Sequence, residues 1–487
     1  MPETLATSQV RDLSNGVIQG VDDRLAPKNS VSFALNLRFD KILGRAVLRE
    51  GTAIVGAQIT DAKNILGLHQ FILSSGTKHL LSVIDGASNS ALYRLITATW
   101  TSESVSGVKT VKHRFLTYLD TCMVLDGTNA TSSADGDTWV TTGGNLDIGN
   151  CPKGKFAVVW HDQVFVAGVS SYLDRLFYSS TPTAGAIAWT GDESGHLDIE
   201  PYHGQGDITA LSKVPNYLLI FKDRALKRWD GSSTFPDDLC NIGTPSHESV
   251  VLGNKTVLYF SASYKESLGI YETDGNTTRK ISRPIQDIIE AIDSANYTSI
   301  AGFSNAEIAM WSVGDMTYDG KSYSNVVILY NISSQNWTCL GFPTKFTVFT
   351  PYIDSTTLKI IAGNNDGEVI ELFVGVNDNI TGNSDIGIQY ALQYPVIDFG
   401  ARGNTKEVSS VVPYTKNGKD TQVLCRINEK NNFKPVGVVD DDFESEMSKV
   451  LKGHTFEFKL TGEKKGGGLQ IIGLDIIYPE MEETIKK

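Results

Sequence analysis

One dipeptide constrains this chain more than any other feature. Asp-Gly recurs along its middle at nearly even spacing. Gly takes positive φ freely and Asp tolerates it, so the pair marks a tight turn between strands. It stands at Asp85-Gly86, Asp126-Gly127, Asp135-Gly136, Asp230-Gly231, Asp274-Gly275, Asp319-Gly320 and Asp366-Gly367. With Asp135-Gly136 set aside as the second of a close pair, successive gaps are 41, 104, 44, 45 and 47 residues. The long gap is about twice the others, as if one repeat lacked its marker. Residues 160–168 (WHDQVFVAG) lie in that gap and read as a strand. A period in the forties is what four short strands with their turns require, which is the length of a propeller blade. Six phased markers and one missing give about six to seven blades.

The segments around the markers agree. Tyr217-Leu218-Leu219-Ile220-Phe221 is an apolar strand, Lys222-Asp223 turns the chain, and Ala225-Leu226-Lys227-Arg228-Trp229 returns it to Asp230-Gly231. Val257-Leu258-Tyr259-Phe260 and Leu268-Gly269-Ile270-Tyr271 repeat the arrangement before Asp274-Gly275. Such runs are short, β-branched or aromatic, and bounded by turn formers. A sandwich or solenoid of stacked hairpins is the competing arrangement; the even spacing favours the propeller. Residues 282–292 carry a Ser cap, an early Pro and apolar residues at helical spacing, and predict one short helix between blades. The fold expected is therefore all-β. Residues 1–60 form an N-terminal arm with strands contributing to a platform, 61–380 the β-propeller, and 381–487 a small C-terminal β-sandwich.

Composition limits function. Forty-five glycines against 20% charged residues suit a turn-rich β protein. A net charge of −13 argues against gripping nucleic acid, which needs clustered Lys and Arg. It is compatible with a surface that DNA slides past. Cys122, Cys151, Cys240, Cys339 and Cys425 are scattered, with no CxxC pair, and read as buried free thiols. Neither a secretory leader nor an apolar run of about 18 residues is present, so no membrane insertion is expected.

Few residues suggest chemistry. His196, Asp198 and Glu200 would share one face of a strand, with His203 close behind, and are the densest set of possible metal ligands. Gly and Pro surround them and no ligand spacing is matched, so a solvated loop or interface patch is the expectation. Ser133-Ala134-Asp135-Gly136-Asp137-Thr138-Trp139 resembles the Asp-box turn of glycosidase propellers with its Gly one place early, and reads as a hairpin with a packed Trp. Asp237-Asp238 and Asp440-Asp441-Asp442 are adjacent acids, which on a strand point to opposite faces rather than forming a catalytic pair. No nucleophile elbow, P-loop, zincin or dinucleotide motif occurs. No catalytic, cofactor-binding or metal residue is assigned, no cofactor is expected, and the chain is expected not to be an enzyme.

The N-terminal stretch 15–52, NGVIQGVDDRLAPKNSVSFALNLRFDKILGRAVLREGT, carries a resemblance. A turn, a Pro-containing segment, the Ala34-x-Asn36-x-Arg38 strand and then Gly44-Arg45-x-x-x-Arg49-x-Gly51-Thr52 resemble the opening of bacteriophage tail propeller proteins. With the propeller-like middle, the chain looks like the tail hub or nozzle protein of short-tailed phages, also called the packaged-DNA stabilisation protein. The resemblance implies a structural virion protein made in the host cytoplasm. It implies a hexameric ring below the portal and adaptor, holding tail fibres or spikes, retaining the genome, and passing DNA through its channel without specific binding. The family has no catalytic residues to carry over. The other classes consistent with the residues are a propeller that binds or hydrolyses glycans and another phage tail adaptor component.

Overall fold

The computed structural model describes residues 5–19, 26–27, 29–59, 63–86, 88–199, 205–354, 356–399, 404–429, 432–440 and 444–479. Almost every element is a strand, and the strands of the middle form seven small antiparallel sheets among these residues. In chain order the blades occupy 65–107, 114–133, 156–198, 208–240, 251–280, 301–341 and 346–372. The second blade has three strands, its third extended by a bridge between Ser132 and Val140. The seventh takes its outer strand, Thr52–Ile54, from the N-terminal region, where it pairs antiparallel with Val369–Leu372. Chain ends far apart in sequence thus close the ring.

Side-chain alternation explains how the blades stack. In the strand Tyr217–Lys222 of blade four, Leu218 and Ile220 pack with Phe165 and Leu176 of blade three. Leu219 and Phe221 pack with Val257 and Tyr259 of blade five. A strand buried on both faces must be apolar at every position, which is why YLLIFK shows no polar alternation. The same holds around the circle. Separate clusters join blades one and two, two and three, three and four, four and five, five and six, six and seven, and seven and one. The last of these sets Ile361 and Val369 against Ile65 and Leu80 and completes the propeller.

The Asp-Gly pairs are turns, but not all the same turn. In blades one, two, six and seven they join the second and third strands. In blades four and five Asp230-Gly231 and Asp274-Gly275 join the third and fourth. Blade three has none. Its residues 160–168, read as one strand, are a hairpin: Phe156–Trp160 and Gln163–Val169 pair across His161 and Asp162, both at positive φ (46° and 59°). A two-residue turn with both φ positive matches the twist of its strands without needing Gly. The expected helix is a 3₁₀ turn, Arg283–Ile285, running into a single α-turn, Gln286–Glu290.

The two chain ends build one further body. Leu37–Asp40, Arg45–Leu48, Gln470–Pro479, Lys406–Lys416 and Met447–Gly453 form a sheet, with Leu5–Val10 also on Gln470–Pro479. The facing sheet runs Phe33–Leu35, Ile388–Gln393, Phe456–Lys464, Gln422–Ile427 and Lys434–Val438. That second sheet does not stop at the propeller. Phe33–Leu35 lies parallel to Asn336–Gly341, the outer strand of blade six, so blade and sandwich share one nine-stranded sheet. One hydrophobic core accordingly reaches from Phe260 and Trp311 in the blades to Phe458 and Leu474 in the sandwich.

Candidate functional site

The residues that suggested chemistry are spread over the molecule and engaged locally. His196 and Asp198 lie exposed on the outer strand of blade three. Asp198 accepts from Arg175 Nε at 2.6 Å, and the His196 ring sits 5.9 Å from that of Phe177. Glu200 and His203 lie outside the described residues. Among the described residues no three His, Cys, Asp or Glu side chains are placed to hold a metal ion. Asp135 Oδ1 accepts from the Asp137 and Thr138 amides at 2.8 and 2.7 Å, an Asx turn that closes the loop while Trp139 packs on the core of blades one and two. Burial works to raise this carboxyl, but the two amides and the Ser133 hydroxyl outweigh it and hold it down at about 2. Asp237 and Asp238 face Arg228 and Lys227 on the neighbouring strand, at 4.0 and 2.7 Å, and form cross-strand ion pairs. Asp440 accepts from Ser445 Oγ at 2.8 Å, while Asp441 and Asp442 lie outside the described residues. All five cysteines are free thiols; four are buried and Cys240 is half-buried.

What the structure does bring together is the 34–52 stretch, at the seam between propeller and sandwich. Asn36 sits at φ 59°, a conformation Asn adopts more readily than most residues. Its Oδ1 accepts from Arg49 Nε and Gly341 N at 2.8 and 2.7 Å, and its Nδ2 donates to Gln389 O at 2.6 Å. Arg49 is fully buried. It spends every N–H: Nη1 and Nη2 form a fork onto Asp378 at 2.8 and 2.6 Å, and the same nitrogens reach Glu50 O and Gly341 O at 2.9 and 2.7 Å. Its guanidinium lies 4.1 Å from the Phe342 ring centre. A buried guanidinium is tolerated only when all its donors are matched, and here they are.

The clamp therefore joins four parts of the chain: the arm (Asn36, Arg49), the end of blade six (Gly341, Phe342), the exit from blade seven (Asp378) and the sandwich (Gln389). Gly51 follows at once. A Cβ there would overlap the Asn377 carbonyl, so only Gly lets the chain pass. Thr52 N then donates to Asn377 O at 3.1 Å, and the closing strand of blade seven begins. Nearer the sandwich edge, Arg45 Nη1 donates to Gln470 Oε1 at 2.7 Å. A second tie lies on the long hairpin of blade six. Asp319, of the turn Asp319-Gly320, accepts from Arg426 at 2.8 and 3.0 Å, and Arg426 also binds Glu457 at 2.6 Å. A cleft of about 300 Å³ opens beside the clamp, with Lys321, Tyr323 and Phe342 in its wall.

No protein-family model matches the chain, and no curated protein matches it. Solved structures do. One is the Neurospora crassa Pan2 WD40 domain, at 8% identity and TM-score 0.42, covering 67% of this chain and 97% of that one. Another is YCF48 from Cyanidioschyzon merolae, at 10% identity and TM-score 0.41, covering 66% and 98%. Likenesses this distant carry no functional argument, and the propeller assignment rests on the strand pairing described above.

Reading the sequence alone missed the roles of Asn36, Arg49 and Asp378. The signal was partly there, since a Gly-Arg-x-x-x-Arg-x-Gly-Thr run puts two guanidinium groups in a short arm, and a guanidinium that becomes buried needs a partner. That partner lies 329 residues away, and one sequence does not show it.

Proposed function

We propose that this chain is a structural subunit of a short-tailed phage tail, forming the nozzle or hub ring below the portal and adaptor. The observation that carries the reading is where the resembling segment sits. Its Asn36, Arg49, Gly51 and Thr52 stitch the propeller to the sandwich, a task of architecture rather than chemistry. The sandwich would act as the platform between subunits, and the propeller would stand beside it as a rigid appendage. The net charge of −13 supports a wall that DNA passes without being held. The free cysteines and the local pairing of Asp135, Asp198, Asp237, Asp238 and Asp440 are in keeping with a role in assembly.

The test is the oligomeric state of the purified full chain by mass photometry, alone and with candidate adaptor and portal rings. Six copies in a closed ring, or captured on an adaptor ring, are expected. A monomer that ignores every adaptor ring would count against the proposal. Release of sugars from host polysaccharide would replace it with a glycan-hydrolysing role.

A further inference from the structure

The propeller axis is bridged by charge at one end. Blades two and five are not neighbours in the ring, so their side chains meet only across the central hole. Arg114, which opens the inner strand of blade two, nevertheless reaches Glu248, just before blade five, at 2.7 Å. Lys112 donates across the same hole to the Thr347 carbonyl of blade seven at 2.6 Å. Lys345, also leading into blade seven, donates to Asn296 Oδ1 at 2.8 Å, before blade six. All these residues precede or begin inner strands, which puts them at one mouth of the channel. The Arg114 and Glu248 side chains keep 15% and 16% exposure.

Cations gather around Lys112, and carboxylates face them in equal number. Within electrostatic reach of Lys112 are two cations, Arg114 and Lys345, and one carboxylate, Glu248. Asp293 and Asp315 act on Lys345. Two nitrogens are also left over. Arg114 Nε and His247 Nδ1 are shielded from solvent and have no hydrogen-bond partner. Both side chains pack on Phe156, with Arg114 4.8 Å and His247 5.0 Å from its ring centre, so the two unmatched nitrogens belong to one small neighbourhood. A buried polar nitrogen without a partner costs free energy. An anion with several acceptor oxygens would accept from Arg114 Nε–H and from the Nδ1–H tautomer of His247.

We propose that this mouth of the axial channel binds a small oxyanion such as phosphate or sulfate, held by Lys112, Arg114 and the Nδ1–H tautomer of His247. Glu248 orients Arg114 from the opposite blade. The site does not depend on the chain's place in any larger assembly.

The experiment measures thermal unfolding of the full chain in rising inorganic phosphate or sulfate, against chloride at matched ionic strength. The expected result is a saturable rise in Tm with either oxyanion over the chloride baseline. Lys112→Met keeps the stem and removes the charge, and should weaken the fitted affinity about ten-fold or more, as loss of a charge-assisted bond does. Lys41→Met, on the exposed hairpin of the sandwich, should leave the affinity unchanged. Sulfate affinity should also fall as pH rises through about 8, where burial has pushed the Lys112 ammonium. Should Lys112→Met not fold by circular dichroism, His247→Phe takes its place with an expected loss of affinity, since it removes the Nδ1–H donor. Superimposable oxyanion and chloride curves, or an undiminished response in the folded variant, would overturn the proposal.

Discussion

Arg49 and Asp378 form a buried pair whose stability depends on both members being present. Arg49→Met removes one charge and leaves the Asp378 carboxylate enclosed without its fork, together with an unmatched Asn36 Oδ1 lone pair and Gly341 carbonyl. Breaking such a pair costs about 3–5 kcal/mol, whereas removing both members can be nearly neutral. Arg49→Met is therefore expected to lower the urea midpoint sharply, and Arg49→Met with Asp378→Leu to recover much of it; equal loss in both would refute the argument. A second residue-scale effect is acid sensitivity. Burial holds His69 and His247 at about 4, below the ordinary 6.5. The unfolded chain then binds protons first as pH falls. Their stabilising contribution is complete above pH 6.5 and is lost on the way down to about 4. Burial works to raise Glu248, but Arg114 and its neighbours outweigh it and hold it at about 2, so its own contribution fades only below 4.5. His69→Gln, which keeps a partner for the Thr117 hydroxyl now 2.8 Å from the His69 Nε2, is expected to flatten the fall of Tm between pH 6.5 and 4. The change corresponds to on the order of 1–3 kcal/mol at the acid end.

At the scale of single elements, turns are where the fold was most legible and most misleading. Asp-Gly marked hairpins correctly, because a turn that needs positive φ leaves a local trace in residue choice. Which hairpin of the blade it marked was invisible, because the second-to-third and third-to-fourth turns ask for the same chemistry. That is why the spacing looked regular although the marker shifts by one hairpin between blades two and four. The turn in residues 160–168 escaped because His161 and Asp162 occupy a left-handed turn without glycine, with the His161 ring stacked 3.7 Å from that of Trp160. Such a turn carries strain that Gly would relieve. Asp162→Gly, at φ 59°, is expected to raise stability by up to about 1 kcal/mol, read as a higher urea midpoint at unchanged slope. A lower midpoint would mean that the Asp162 side chain contributes more than its backbone costs. The closing strand Thr52–Ile54 has the opposite character. Nothing local reports that it belongs to blade seven, because its partner Val369–Leu372 is more than 300 residues away. Only the tight passage at Gly51 hints at it, and Gly51→Ala is expected to unseat the strand and expose the amides of Val369–Leu372 to hydrogen exchange.

Across the whole molecule, propeller and sandwich do not behave as beads on a string. The two end segments of the chain interleave in the sandwich. Gln470–Pro479, at its centre, is flanked by Lys406–Lys416 on one side and by Arg45–Leu48 and Leu5–Val10 on the other. Ile388–Gln393 lies against Phe33–Leu35, which in turn lies against blade six. Residues 381–487 on their own would thus present two interior strands as open edges and leave Phe458 and Leu474 without Phe33, Leu37 and Trp337 beside them. Strand edges and apolar faces exposed in this way favour aggregation over folding. A protein comprising 381–487 alone is therefore expected to show no cooperative thermal transition by circular dichroism. In the full chain, amides of Phe456–Lys464 and of Lys321–Asn331 in blade six should lose protection at the same denaturant concentration, because one sheet and one core contain both. A sharp transition in the fragment, or blade six opening well before the sandwich, would show that the shared sheet couples them only loosely. Tight coupling would suit the ring-forming subunit proposed above, since a load applied at the sandwich would be felt by the propeller through the shared sheet.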